Sequence, residues 1–240
     1  MQVVKDAKRL LRQLQNRALS ISPMLELSKR LELAVVDRFV ADQALLLPNI
    51  LELRALALKL APPAGLLLEF GVFDGASLRF LAERTERMIH GFDTFTGLPQ
   101  HDGIAVWKRH KELGTFDVKG KLPAVPANVQ LHVGLFEDTL PGFLATHNES
   151  VAFLHIDCDL YSSTRTIFSA LGERIVAGTI ILFDEYFNYP GWQFGEYKAF
   201  QELIKERKLE YTMLGAATSD ADRQEFGRYA RLAVRIDRVG

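Results

Sequence analysis

The spacing of hydrophobic positions changes near residue 63. Before that point, apolar residues recur close to the period of an α-helix. Pro23 and Pro48 interrupt this segment, and the pair Pro62-Pro63 ends it, because proline lacks the amide donor that a helix needs. The pattern predicts an N-terminal helical arm over residues 1–62, which packs on the body of the protein or on a second subunit.

After residue 63, short apolar runs alternate with longer amphipathic segments. Continuous apolar runs are typical of buried parallel strands, and they cover residues 66–70, 88–92, 129–133, 151–156 and 179–183. Helices are predicted over residues 76–84, 163–175 and 196–207. Residues 211–214 and 229–236 predict a closing antiparallel C-terminal hairpin. The predicted fold class is therefore α/β, a doubly wound, mostly parallel sheet in a domain over residues 63–240.

One segment fits neither pattern. Residues 99–126 are rich in Gly, Lys and His, contain Trp107 and Phe116, and are too long for an ordinary connection. Two interpretations stay open for this insertion: a lid that covers a substrate, and a small decorative loop.

Composition narrows the class of protein. The 240 residues contain 29 Lys and Arg against 30 Asp and Glu, and this balance argues against a nucleic-acid binder or a membrane-surface protein. Prolines and charges interrupt the apolar stretch over residues 44–68, so it does not predict a membrane-spanning helix. The single cysteine, Cys158, excludes an internal disulfide and a multi-cysteine zinc site. We expect a cytoplasmic enzyme or binding domain that takes a small molecule.

Candidate ligand-binding residues follow the first two strands, since doubly wound sheets bind ligands at the carboxyl ends of their strands. Gly71 and Gly75 let the backbone turn tightly and approach a ligand, and the next helix presents its free amides there. Phe73 stands where a pyrophosphate-binding loop has its second glycine, which disfavours a dinucleotide. Asp93 is placed to accept the hydroxyls of a ribose. The alternative for Asp93 is a loop aspartate that caps its own backbone.

Four carboxylates follow the fourth and fifth strands: Asp157, Asp159, Asp184 and Glu185. In an extended run, Asp157 and Asp159 point the same way. Carboxylates so crowded repel one another unless a cation or a proton intervenes, and oxygen ligands suit Mg²⁺ or another hard divalent cation. The sequence therefore favours a metal site, and a set of solvated loop acids is the alternative.

Together these motifs resemble a known enzyme family. In chain order they are Glu69-x-Gly71-Val72-x-x-Gly75, Gly91-Phe92-Asp93-x-Phe95-x-Gly97-Leu98-Pro99, Gly134-x-Phe136-x-Asp138-Thr139-Leu140-Pro141 and Asp157-x-Asp159-Leu160-Tyr161-x-Ser163-Thr164. Over about residues 66–203 the sequence is similar to the macrocin O-methyltransferase family. These are Rossmann-like class I methyltransferases that use S-adenosylmethionine and act on antibiotic sugars and related hydroxyl compounds.

The resemblance implies a role for each matching residue. The cofactor is implied to lie with its methionine side against Glu69, Gly71, Gly75 and Ser77, its ribose at Asp93 and its adenine near Phe136. A divalent metal is implied to bind Asp157, Asp184 and Glu185, with Asp159 as the general base. The family usually has Asp-Asp after the fifth strand, whereas this sequence has Asp184-Glu185 with a longer second side chain.

The expected function is metal-dependent O-methylation. We expect S-adenosylmethionine and Mg²⁺ as cofactors, a sugar or phenol hydroxyl of a secondary metabolite as acceptor, and a homo-oligomer, a dimer, formed through the N-terminal helices. An NAD-dependent oxidoreductase is one alternative, and a non-catalytic S-adenosylmethionine-binding scaffold is another. His155 and Cys158 are expected to be packing residues, and residues 186–192 form either an aromatic acceptor wall or ordinary loop packing.

Overall fold

The computed structural model describes residues 36, 38–99, 114–189, 191–217 and 230–240. Residues 1–35 of the predicted arm, residues 100–113 of the predicted insertion and residues 218–229 between the two hairpin strands lie outside the described residues. The division into an arm and a domain at residue 62 stays a prediction. In the described ranges, none of the helices is long and apolar enough to cross a membrane.

Strands and helices alternate along the described chain. The strands are β1 (Leu45–Leu47), β2 (Leu66–Phe70), β3 (Ile89–Asp93), β4 (Val129–Val133), β5 (Val151–Ile156), β6 (Ile180–Phe183), β7 (Glu210–Ala217) and β8 (Arg231–Arg238). The α-helices with described bounds are α1 (Ile50–Leu60), α2 (Ala76–Ala82), α3 (Phe136–Thr146), α4 (Tyr161–Leu171) and α5 (Glu196–Arg207). All five predicted parallel strands are present, within a residue or two of their predicted ends.

Two elements were not expected from the sequence. β1 lies in the segment predicted to be helical, and it forms because the edge of β7 offers a parallel partner, with Leu45 opposite Gly215. A run of three leucines is too short to show a period. The other element, α3, contains Pro141 in its interior, where proline removes a hydrogen bond and weakens the helical pattern.

The eight strands form one sheet in the order β1-β7-β8-β6-β5-β2-β3-β4. Among the described strands β8 alone runs against the others, since it pairs antiparallel with β6 and β7. The predicted doubly wound sheet and its antiparallel C-terminal hairpin are therefore confirmed. From β2 the chain passes to β3 and β4 on one side and returns to place β5 on the other. This reversal puts the switch point, where ligands bind in such sheets, between β2 and β5.

Helices cover both faces of the sheet. Leu53 of α1 and Leu78 of α2 belong to a buried cluster on one face. Phe168 of α4 and Phe200 of α5 belong with Phe70 of β2 to a cluster on the other. Each large apolar side chain so buried contributes about 1.5–3 kcal/mol. The central strands are thus packed from both sides, which holds their carboxyl ends in place.

Three histidines pack together near the β4 edge of the sheet. His90 Nδ1 lies 3.1 Å from His132 Nε2, and the ring of His147 lies 5.0 Å from that of His90. Burial first, and then repulsion from His132 and His147, lower the pKa of His90 to about 4, although Glu149 opposes the shift. The fold therefore favours the neutral form of His90.

We expect acid to destabilise the protein through His90. Between its ordinary pKa of 6.5 and the folded value of about 4, the unfolded state binds more protons, so the free energy of unfolding falls as the pH falls. The loss from this group reaches about 2 kcal/mol at pH 5. Urea unfolding at pH 7.5 and pH 5 measures it, with His90→Gln as the variant that does not titrate. The wild type should lose about 2 kcal/mol more than the variant over this interval, and equal losses would contradict the assignment.

Candidate active site

One cavity of about 240 Å³ opens at the carboxyl ends of β2, β3 and β5. It lies at the switch point of the sheet. Most of the residues predicted to form the site line it, namely Gly71, Ser77, Asp93, Phe136, Asp157, Asp159 and Glu185. The other predicted residues, Glu69, Gly75 and Asp184, lie outside this lining. The topology therefore brings the separate sequence motifs around one space.

Gly71 allows two strand ends to pass very close to each other. Its φ is +89°, and a Cβ atom at this position would lie 1.7 Å from the carbonyl oxygen of Asp157. The Asp157 amide donates to the Phe70 carbonyl at 2.9 Å, which keeps β5 against β2. From the sequence, we expected a glycine here because a ligand must approach the backbone. The structure shows that the close approach of the chain after β5 already requires a residue without a Cβ atom. Gly75, with φ of +77°, is the N-cap residue of α2.

Glu69 lies behind the cavity wall and is fully buried. Its carboxylate accepts hydrogen bonds from Ser77 Oγ at 2.5 Å and from His155 Nδ1 at 2.9 Å. Burial alone would lower the pKa of His155, but the carboxylates of Asp184, 3.9 Å from its Nε2, and of Glu69 raise it to about 9. His155 is therefore a buried, positively charged partner, and Glu69 positions Ser77 in the wall without lining the cavity itself.

Asp93 organises the glycine loop from β3. Its Oδ2 accepts from the amides of Val72 at 2.7 Å and Phe73 at 2.9 Å, and its Oδ1 accepts from the Phe95 amide at 2.8 Å. Asp93 therefore caps backbone amides, as the alternative interpretation expected, and it also lines the cavity. A carboxylate oxygen accepts about two hydrogen bonds, so Oδ1 can accept one more from a ligand.

The chain after β5 is not extended. Asp159 has a φ of +61°, and the Leu160 amide donates to the Cys158 carbonyl at 2.6 Å, which closes a three-residue turn. The expected alternation over residues 157–159 is therefore wrong, although the turn still brings Asp157 and Asp159 to the same cavity. A non-glycine residue in this conformation costs about 1–3 kcal/mol and is common at functional sites. Cys158 is buried, as expected of a packing residue.

Two arginines that sequence reasoning missed contact the carboxylates. Arg231 on β8 donates Nε and Nη2 to the two oxygens of Asp184, at 3.1 and 2.9 Å. Arg54 on α1 places Nη2 3.4 Å from Asp184 Oδ1 and 3.6 Å from Asp157 Oδ2. Although burial alone would raise the pKa of Asp184, these guanidinium groups and His155 hold it well below its usual range. A charge within the apolar pattern of α1 was the available sequence signal for Arg54.

The pKa values of the other carboxyl groups of the site are shifted in the opposite direction. Burial first and repulsion from Asp184 second raise the pKa of Asp157 to about 7. Burial and the neighbouring carboxylates also raise the pKa of Asp159 and of Glu185 well above the ordinary values. A cation beside these carboxyl groups would oppose both effects and favour their ionised forms.

The residues present fit a divalent cation. Carboxylate oxygens of Asp157 and Asp184 lie within 4.8 Å of each other, a span that one ion can bridge. A nitrogen of His155 lies within the same distance, but a protonated imidazole has no lone pair to offer a metal. Glu185 is not part of this group, but its Oε2 is buried and has no hydrogen-bond partner in the described part of the chain. Glu196, at the start of α5, likewise has a buried Oε1 without such a partner. The donors are oxygens, as hard cations prefer.

Phenylalanines form an apolar wall of the cavity. The rings of Phe73 and Phe116 lie 5.4 Å apart at 69°, and both line the cavity together with Phe136. Phe116 belongs to the predicted insertion, so the described part of that segment contributes to the cavity. The candidate wall over residues 186–192 is different, because its members Tyr186, Phe187 and Tyr189 are buried. These three side chains therefore pack in the protein interior, as the second interpretation expected.

Known proteins share this fold. A family model described as a methyltransferase domain matches residues 68–186. The chain is 25% identical to the calicheamicin methyltransferase CalS11, with a TM-score of 0.50 over 93% of this chain and 90% of that one. It is 21% identical to the O-methyltransferase NovP, with a TM-score of 0.57 over 78% and 79% of the two chains. No curated protein sequence matches it.

The fold is that of the Rossmann-like class I methyltransferases. More particularly, residues 68–186 form a methyltransferase domain, and the prediction that the chain is a methyltransferase is confirmed. Helix α1, which carries Arg54, precedes the matched segment.

Proposed function

We propose that the protein is an S-adenosylmethionine-dependent O-methyltransferase that acts on a hydroxyl group of a small molecule with the aid of a divalent cation, as in the macrocin O-methyltransferase family. The observation that carries the proposal is the meeting of the glycine loop and the carboxylates Asp157 and Asp159 at one cavity. The methyltransferase domain and the likeness to CalS11 support the same reaction class. The acceptor is proposed to be a sugar or phenol of a secondary metabolite.

The glycine-loop half of the cavity suits the methyl donor. The methionine part would lie against Gly71 and Ser77, the ribose would donate to Asp93 Oδ1, and the adenine would pack on Phe136. Phe73 lines the cavity where a dinucleotide would need close approach of its pyrophosphate, which disfavours NAD. S-adenosylmethionine, when bound, supplies an electrophilic methyl group.

Asp159 is the residue we assign to accept the proton of the acceptor hydroxyl. Because burial and neighbouring carboxylates raise its pKa, its carboxylate is a stronger base than that of an exposed aspartate. With the donor bound, Asp159 would take the proton of the acceptor hydroxyl as its oxygen receives the methyl group that leaves the sulfur.

Asp157, Asp184 and Glu185 are the residues that would hold Mg²⁺. A divalent cation there supplies a positive charge that lowers the pKa of an acceptor hydroxyl and orients it. Arg231 and His155 keep Asp184 ionised, so its oxygens need not lose a proton before they bind a cation. The dimer formed through the N-terminal helices remains a proposal.

Calorimetry with S-adenosylmethionine, S-adenosylhomocysteine and NAD⁺ tests the proposal. We expect one molecule of either sulfur compound to bind per chain and NAD⁺ not to bind. Transfer of a tritiated methyl group to a panel of phenols and sugars, with Mg²⁺ or with EDTA, then measures the reaction, which should require the metal. NAD⁺ binding would favour the oxidoreductase instead. S-adenosylhomocysteine binding without metal-stimulated transfer to any acceptor would favour the scaffold.

A further inference from the structure

We propose that Arg54 is an internal cation that competes with the divalent metal for Asp157 and Asp184, so that the guanidinium must move away when the metal binds. This inference rests on the proposed metal site. It adds a residue from α1, which lies before the matched methyltransferase segment. The affinity for metal would therefore depend on an element outside the segment that carries the motifs.

Arg54 uses carboxylate oxygens that a bridging ion would also use. Its Nη2 lies 3.4 Å from Asp184 Oδ1 and 3.6 Å from Asp157 Oδ2. Ligand atoms of these two aspartates lie within 4.8 Å of each other. A hard divalent cation sits about 2.0–2.6 Å from each oxygen ligand. An ion between the two carboxylates would then lie close to Nη2, and two positive charges at such a separation repel strongly.

The contacts of Arg54 are weaker than those of Arg231. Arg231 binds both oxygens of Asp184 at 2.9 and 3.1 Å, the geometry of a strong bidentate pair. Arg54 reaches the carboxylates through one nitrogen at longer distances, and its Nε is buried with no hydrogen-bond partner in the described part of the chain. Of these two guanidinium groups, Arg54 is therefore the one that a doubly charged ion displaces.

The cavity gives the displaced side chain room. Arg54 already lines it, beside Asp157 and Asp159. Helix α1 itself is anchored by Leu53 and Ala57, which are buried in the core. Rotation about the torsions of the arginine side chain thus suffices, and the helix need not move. Without metal, the guanidinium of Arg54 offsets part of the negative charge of Asp157 and Asp184. When the metal dissociates, Arg54 returns to these two carboxylates.

Arg54→Met in the full chain tests the competition, because methionine keeps an apolar stem and removes the charge. Binding of Mn²⁺, followed by electron paramagnetic resonance, should be about tenfold tighter in this variant than in the wild type. Arg54→Gln, a second neutral variant, should show the same gain. Arg235→Met is the matched control, since it removes an exposed arginine that pairs with Asp237 on β8. It should bind Mn²⁺ as the wild type does.

Thermal unfolding gives a second readout. In EDTA, Arg54→Met should melt below the wild type because the aspartates lose a counter-ion, and saturating Mn²⁺ should raise its Tm by more than it raises that of the wild type. Unchanged or weaker Mn²⁺ binding by both neutral variants, with normal binding by the wild type, would overturn the competition and leave the metal site standing. Failure of wild type and variants alike to bind Mn²⁺ would overturn the metal site and the competition together.

Discussion

Asp159→Asn is expected to reduce the rate of methyl transfer by about 100- to 10,000-fold, the usual contribution of a positioned general base. Asparagine keeps the size of the side chain and tolerates the left-handed conformation that Asp159 adopts, but it does not accept a proton at neutral pH. Binding of S-adenosylmethionine should be unchanged. Initial rates with the tritiated donor and calorimetry on the same preparation measure the two properties separately.

Asp237→Asn is the matched control for this experiment. It makes the same chemical change on β8, at a carboxylate that pairs with Arg235 and accepts from Thr212 Oγ1. This variant should turn over at the wild-type rate. Wild-type turnover by Asp159→Asn would show that another group accepts the proton, and the assignment of Asp159 would be wrong.

Gly71→Ala is expected to lower the free energy of unfolding by about 3 kcal/mol or more and to weaken binding of S-adenosylmethionine. The φ of +89° at Gly71 disfavours any residue with a Cβ atom. The added atom would also lie 1.7 Å from the carbonyl oxygen of Asp157, which directly follows β5. The ends of β2 and β5 must separate to admit it, which displaces Asp157 from the cavity. Urea unfolding and calorimetry check the two effects.

Gly142→Ala is the matched control, and we expect it to raise the free energy of unfolding. Gly142 lies inside α3, and beyond its chain neighbours and the adjacent helix backbone no atom of the described residues lies within 4 Å of an added Cβ. Alanine there should stabilise the protein by about 0.5–1 kcal/mol, because glycine is a poor helix former. A Gly71→Ala variant as stable as the wild type would mean that the two strand ends do not need their close approach.

Much of the fold could be predicted from local patterns. The strands β2, β3, β5 and β6 are covered on both faces, so they need apolar residues at successive positions, and such runs are visible in the sequence. β1 could not be found in this way, because its three leucines become a strand only beside β7. Helix α3 could not be predicted because Pro141 is a residue that usually ends a helix, although α3 continues past it.

The candidate site was predicted less completely than the fold. Gly71, Asp93 and Asp157 follow separate strands, and parallel strands bring their carboxyl ends to one edge whatever their exact order. Arg231 could not be placed in the same way. It meets Asp184 because β8 lies next to β6, a neighbourhood that no local pattern encodes.

The sequence by itself determined the class of fold, the edge of the sheet that bears the site and the kinds of side chain gathered there. These follow from the period of hydrophobic residues and from a topology common to parallel sheets. The tertiary structure alone decided how those side chains are used: Gly71 admits a neighbouring strand, Asp93 holds the glycine loop, and Arg54 contacts Asp157 and Asp184. The physical reason is that packing and charge compensation depend on distances between residues far apart in the chain, which only folding sets.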